Sequence, residues 1–275
     1  MVFRDESGRL YHIGAKEGEV PPLVLLPGSR VRVRLIAEKL SSPEVIHDGR
    51  FLLVRGSWRG VDVAAIDTGI GPSSAAIVVR EIVEAIGERD AVLIRPGTCG
   101  SLQPGVDPGD LVVSTGSVAD EWVSARVAGP RFPLTCDPGV VEALVEAAES
   151  RGYRLGETLH VGVTHSKDAL YEVEEPPLSA RPEEASLNLE YLQRMGVLVT
   201  EMELSVISAL AAWYNAKRRR EGSPGRVRVG GIFLVVSPVK GVEEEVEFRK
   251  ISQEGLVEVA LDALVEAPKR RPRWL

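Results

Sequence analysis

The residues best suited to chemistry stand in the run Leu93-Ile94-Arg95-Pro96-Gly97-Thr98-Cys99-Gly100-Ser101. A guanidinium that stays charged, a hydroxyl, and glycines that let backbone amides approach a ligand closely form a set that suits an oxyanion. Ala91 to Ile94 has the length and composition of a buried strand, and Pro96-Gly97 predicts that the strand stops and the chain turns at Arg95. Ligands of open α/β sheets sit beyond the carboxyl ends of the strands, and that is where this spacing places Arg95 and Thr98. Taken alone, the segment also reads as a turn carrying a surface arginine. A second anion contact is offered by Pro27-Gly28 between the apolar run Leu23 to Leu26 and a helix predicted over Val31 to Leu40, with Arg30 and Arg32 nearby. Thr200-Glu201-Met202-Glu203 follows another apolar run. Its carboxylates either open a helix as acidic first-turn residues or accept hydrogen bonds from the vicinal hydroxyls of a sugar against which Met202 packs.

Other chemistries find little support. Thr68-Gly69-Ile70-Gly71-Pro72 lacks the third glycine of a dinucleotide fingerprint, and Asp62 and Asp67 precede it instead of following about 20 residues on. No Gly-Lys-Ser/Thr phosphate loop occurs. His12, His47, His160 and His165 show no metal-ligand spacing, none neighbours a nucleophile elbow, and Cys99 and Cys136 form no disulfide framework. No metal is expected.

These groups need a scaffold, and 275 residues with 44% hydrophobic and 27% charged side chains can bury a sizeable core. Strand patterns at Phe51 to Val54, Val61 to Ile66, Gly109 to Val113, Thr158 to Thr164 and Val227 to Val236 alternate with helical patterns at Ala75 to Ile86, Gly139 to Ser150, Leu187 to Met195, Met202 to Lys217 and Leu256 to Ala267. That alternation predicts a single α/β domain over residues 1–275, a mixed central β-sheet flanked by helices on both faces. Gly56 to Gly60 is expected to be a hairpin turn, Ser117 to Pro138 a long surface loop, and Glu172 to Glu184 a loop or flap. Val227 to Val236 opens onto Ser237-Pro238-Val239-Lys240-Gly241. A net charge of -7 argues against a nucleic-acid binder. The basic runs Lys217 to Arg220 and Lys269 to Arg273 are expected to be solvated surface. No run approaches the about 20 apolar residues of a membrane span and the start has no signal-peptide core, so a cytoplasmic protein is expected. With two asparagines and three glutamines against abundant Glu, Arg and Val, the composition fits a heat-adapted protein.

Seven segments, in order, carry a family resemblance: Tyr11-His12-Ile13-Gly14, Leu26-Pro27-Gly28, Thr68 to Ser73, Arg95 to Gly100, Gln103-Pro104 with Gly109-Asp110, His160 to Thr164, and Glu201-Met202-Glu203. Together they resemble the uridine phosphorylases of the hexameric nucleoside phosphorylase family. The resemblance implies that inorganic phosphate, a co-substrate, attacks the anomeric carbon of a nucleoside to give free base and ribose 1-phosphate, with no cofactor. It assigns phosphate to Gly28, Arg32, Arg95 and Thr98, joined by Arg50 of a neighbouring subunit, and ribose to Met202, Glu203 and the neighbour's His12. Arg95, Thr98 and Glu203 would be catalytic, and Cys99, Gly100, Leu170 and Glu201 would line the base. It further implies a homo-oligomer, a hexamer built from dimers with shared sites.

Three positions depart from the pattern. Leu170 to Pro176 lacks the glutamine and arginine that read uracil, Pro238 replaces the aspartate with which purine-specific relatives protonate the leaving base, and Phe51 replaces a glutamate tied to a monovalent cation. Uridine is the expected substrate, a purine nucleoside the alternative. A non-catalytic nucleoside- or anion-binding protein on the same fold is the reading from another class, and phosphate-dependent base release separates them.

Overall fold

In the computed structural model, described over residues 2–238 and 252–270, the chain follows the expected alternation. Its strands are β1 (Leu23–Leu25), β2 (Ser41–Asp48), β3 (Leu52–Trp58), β4 (Val61–Ile66), β5 (Ala91–Ser101), β6 (Leu111–Asp120), β7 (Leu134–Thr135), β8 (Leu159–Lys167), β9 (Val199–Glu201) and β10 (Val227–Ser237). The helices are α1 (Arg30–Lys39), α2 (Pro72–Ile86), α3 (Trp122–Ala128), α4 (Pro138–Ser150), α5 (Leu170–Glu174), α6 (Pro182–Arg194), α7 (Leu204–Glu221) and α8 (Glu254–Glu266). The ten strands form one mixed sheet in the order β10-β6-β8-β9-β5-β1-β4-β3-β2, with β7 paired to β6 off this path. Because β5 pairs with β10 as well as with β9, five strands close into a ring and the others extend from it.

Alternation along β5 sends its side chains into two cores. Val92 and Ile94 join residues of α1, α4 and α8, whereas Ala91 and Leu93 join residues of α2 and α7. Helices therefore cover both faces. Two ion-paired carboxylates of α8 tie its outer side to the body: Glu258 meets Lys39 of α1 at 2.6 Å and also Arg151, while Asp262 accepts from Trp58 Nε1 at 2.8 Å and pairs with Arg59 and Arg151. Among the described residues no helix is long and apolar enough to cross a membrane.

The expected turn at Arg95 does not occur, because β5 runs on to Ser101. Val92 N donates to Pro22 and the Ile94 carbonyl accepts from Leu26, so even-numbered residues of β5 turn their polar groups toward β1. Two residues on, β1 has ended, and the Pro96 carbonyl faces Arg32 Nη1 at 3.2 Å. The N–H that Pro96 lacks would point to that same side, away from β10, so pairing with β10 continues unbroken.

The span expected as a surface loop from Ser117 to Pro138 instead holds the end of β6, paired with β8 as far as Asp120, then α3 and β7. Glu121 starts α3 by accepting from the Ser124 amide. Glu172 to Glu184 is likewise ordered: α5, a single 3₁₀ turn at Pro176–Leu178, and the start of α6 at Pro182, where proline suits a first helical position. The predicted hairpin loop shrinks to Arg59-Gly60, both with positive φ, and β2, whose exposed residues carry no alternating pattern, was not anticipated. Arg218, placed with the solvated basic run, is buried and donates to the carbonyls of Gly87 and Arg89, closing the end of α2. Val239, Lys240 and Gly241, and Arg271 to Arg273 of the basic tail, lie outside the described residues.

Candidate functional site

A cavity of about 500 Å³ opens where β5, β8, β9 and β10 end and where the loops after β1 and β4 meet them. Gly28, Arg32, Arg95, Thr98, Cys99, Gly100, Leu170, Glu201, Met202 and Glu203, ten of the twelve residues expected at a site, line it.

Arg95 is the organising cation. Only 5% exposed, it gives Nε to Glu201 at 2.9 Å and Nη2 to Glu203, while its Nη1 is buried with no hydrogen-bond partner among the described residues. That leftover donor faces Gly28: a Cβ built there would lie 3.8 Å from it. A buried donor without a partner is costly, and a ligand acceptor removes the cost. Burial opposes the charge on Arg95, but Glu203 and Glu201 outweigh it and hold the group above its ordinary value. Arg32 sits beside it with Nε on Gln253 at 2.8 Å. Burial, and then repulsion from Arg95, lowers Arg32 to about 10. Two guanidiniums that repel each other next to an unused donor are chemically suited to an anion. Arg30, the other arginine near Gly28, turns away to Asp48 and the Gly49 carbonyl.

The two acidic residues divide their work. Glu201, the last residue of β9, accepts from Arg95, from Ser166 Oγ and from the amides of Glu203 and Leu204, which fixes the arginine and caps the start of α7. Glu203 accepts from the Gly71 amide at 2.7 Å and from Arg95, and burial raises its carboxyl above the usual range. Gly71 reaches it only through a backbone of φ +88°, which a side chain would strain. Gly97 is needed for a different reason, since a Cβ there would come within 2.7 Å of the Phe233 ring that lies beneath Arg95. The Cys99 thiol is pushed well up by burial and then by Glu201 and Glu174, so it stays protonated and is no nucleophile.

The remaining two expected residues stand elsewhere on this chain. Arg50 is exposed in the turn between β2 and β3. His12 lines a different cavity with Phe3, Arg80 and Trp213. The sequence offers it no local partner, but its Nδ1 is 2.6 Å from Glu81, 69 residues away, whose other oxygen accepts from the His12 amide.

Lys167, Glu174, Thr200 and Ser237 also line the cavity, although sequence reasoning gave none of them a place in the site: Thr200 and Glu174 stood only within the stretches Thr200 to Glu203 and Leu170 to Pro176. Lys167, 1% exposed, donates to Thr200 Oγ1 at 2.9 Å and pairs with Glu174. Their signal was positional: Lys167 and Ser237 close β8 and β10, at the same strand ends that singled out Arg95. The family motifs at Gln103, Asp110 and His160 are structural. Gln103 Nε2 donates to the carbonyls of Gln193 and Val197, and Asp110 meets His160 Nε2 at 2.9 Å.

The chain is also similar to known proteins. The chain is 34% identical over 215 residues to a uridine phosphorylase of Thermococcus kodakarensis, covering 77% of this chain and 75% of the relative. It is 31% identical to a guanosine phosphorylase of Halorubrum lacusprofundi, covering 92% and 97%. A crystal structure of uridine phosphorylase from Vibrio fischeri ES114 superposes with a TM-score of 0.76 at 24% identity, covering 95% of this chain and 98% of that one, which establishes the shared fold. The model of the phosphorylase superfamily matches residues 22–263, and the chain belongs to that superfamily.

Proposed function

We propose that this protein is a nucleoside phosphorylase, a pentosyltransferase that cleaves a nucleoside, uridine first, with inorganic phosphate to free base and ribose 1-phosphate. The observation that carries this reading is the buried Arg95 Nη1, unpartnered among the described residues, between Arg32 and Gly28, a place suited to a tetrahedral anion. Glycosidic cleavage passes through an oxocarbenium-like state, so an anionic nucleophile held beside the sugar both attacks and stabilises it. Holding phosphate in line replaces a bimolecular encounter, an effect worth up to about 7–11 kcal/mol. Met202 and Glu203 line the cavity beside this cluster, where an apolar surface and a carboxylate suit the two sides of a ribose. The Thermococcus relative is named for uridine and the Halorubrum relative for guanosine. Phosphate and nucleoside are the small-molecule partners, and no cofactor enters the chemistry.

The same reading makes the site shared. Arg50 and His12, outside the cavity of their own chain, would complete that of a neighbour in a hexamer built from dimers. A cytoplasmic, heat-adapted enzyme accords with the composition.

A panel of nucleosides, incubated with and without phosphate and analysed by chromatography, tests the assignment. Base release that requires phosphate and yields ribose 1-phosphate is expected. Equal rates in phosphate-free buffer would overturn it.

A further inference from the structure

Farther along β5 than Arg95, a second polar group stands in the cavity wall. Arg95 and Gly100 are five residues apart on β5, about 16 Å at strand rise. Around Gly100 a Cβ would meet Ser237 Oγ at 2.9 Å and Glu174 Oε2 at 3.3 Å, so the glycine leaves open a wedge walled by these two oxygens. Glu174 Oε1 pairs with Lys167 Nζ. The ammonium has three donors. One goes to Glu174, one to Thr200 Oγ1 at 2.9 Å, and the third reaches only the Glu201 carbonyl at 3.4 Å, long for a hydrogen bond.

Lys167 is held there by a chain of contacts. Thr200 Oγ1 accepts from Lys167, so its own hydrogen is available to His165 Nδ1 at 3.0 Å, and His165 Nε2 then donates to Asp120 at 3.3 Å. His165 is fully buried. A buried ion pair of this kind is weak evidence for stability, since apolar residues of similar volume often serve as well. Its place in the cavity wall suggests a different use.

We infer that Glu174 and Lys167 read the base, selecting those that present an N–H beside a carbonyl, as uracil and the 6-oxopurines do, over those that present a ring nitrogen beside an amino group, as cytosine and adenine do. This rests on the nucleoside reading of the cavity. A carboxylate only accepts and an ammonium only donates, so the pair matches N–H beside C=O. Against cytosine or adenine it sets lone pair against lone pair and donor against donor, the mismatch from which large discrimination arises. Thr200 is a positioning residue that acts through Lys167.

Equilibrium binding of nucleosides to the full-length protein in phosphate-free buffer tests the pair without depending on turnover, and the ribose blocks the ring nitrogen through which a free base could present another edge. Calorimetric titrations with uridine, inosine, cytidine and adenosine should favour the oxo bases. Glu174→Gln, nearly isosteric, can turn its amide to donate to a ring nitrogen, and should narrow the uridine-to-cytidine and inosine-to-adenosine ratios by about tenfold or more. Lys167→Met should weaken the oxo bases most, and Thr200→Val should do so partially, with recovery in Thr200→Ser. Ratios unchanged in Glu174→Gln would overturn the assignment, even if Lys167→Met failed to fold. Unchanged ratios together with phosphate-dependent turnover would sink only the reading of the base. Altered ratios without turnover would sink only the phosphorylase.

Discussion

Replacing Arg32 with methionine should stabilise the free protein while weakening its grip on phosphate. Keeping this guanidinium charged against burial and against Arg95, which moves it from 12.5 to about 10, costs about 3 kcal/mol. Methionine fills much of the same space and removes that cost. It also removes the hydrogen bonds to Gln253 and to the Pro96 carbonyl, worth about 1 kcal/mol each. The net gain is about 1 kcal/mol, which for a chain of this size raises Tm by about 2–4 °C. Phosphate loses one charged contact, about 1.5–3 kcal/mol, and so binds about 10- to 150-fold more weakly. Thermal melts at fixed protein concentration, with and without phosphate, read both effects. At a phosphate concentration one hundred times the parent Kd, the parent gains about 2.7 kcal/mol, whereas a variant bound 100-fold more weakly gains about 0.4 kcal/mol. A variant that melts below the parent without phosphate would refute the electrostatic cost. One that kept the full phosphate shift would refute the role of Arg32 in holding the anion.

Other substitutions probe the remaining geometry. Because burial raises Glu203, its carboxylate takes up a proton at a higher pH than an ordinary glutamate. The acid limb of the kcat/KM profile should therefore lie above 4.5 and disappear in Glu203→Gln, and a limb retained in that variant would assign it to another group. Gly225→Ala would drive a methyl to 1.8 Å from the Glu88 carbonyl oxygen and should lose about 3 kcal/mol of stability, whereas Gly28→Ala meets nothing nearer than 3.7 Å and should melt like the parent. Equal melting of the two variants would show that the strand end tolerates far more movement than its contacts suggest. Arg50→Ala and Arg95→Ala subunits, each inactive alone, should recover part of the activity when dissociated and reassembled together, since one site of each mixed pair is rebuilt. No recovery despite proven exchange would place both arginines within one chain's site.

Much of the cavity was legible because short apolar runs there meet glycine, arginine or acidic residues. Gly28 and Glu203 follow the ends of β1 and β9, whereas Arg95 was found through an expected strand end that the structure moves on to Ser101. What misled was local grammar. Pro-Gly ordinarily ends a strand, yet β5 passes through Pro96 because β1 has already ended on that side, a fact of tertiary pairing that no local window contains. Arg218 illustrates the same limit, since a basic run predicts solvent while two distant carbonyls fold over one of its members. Lys167 was missed because it forms no motif, and Glu174 stood out only as one of several glutamates in a stretch without the uracil-reading pair. The pair exists only once β8 and α5 bring the two residues together.

The anchoring of α8 has a consequence for motion. Gln253, which holds Arg32, directly precedes this helix, and Glu258 and Asp262 fasten the helix to α1, to β3 and to Arg151 just after α4. Fluctuations that lift α8 must therefore withdraw Gln253 and release Arg32. Linkage runs equally in the other direction, so an anion that favours the seated arginine lowers the population of lifted states. Amides of α8 should then exchange with deuterium more slowly when phosphate is bound, although the helix itself does not line the cavity.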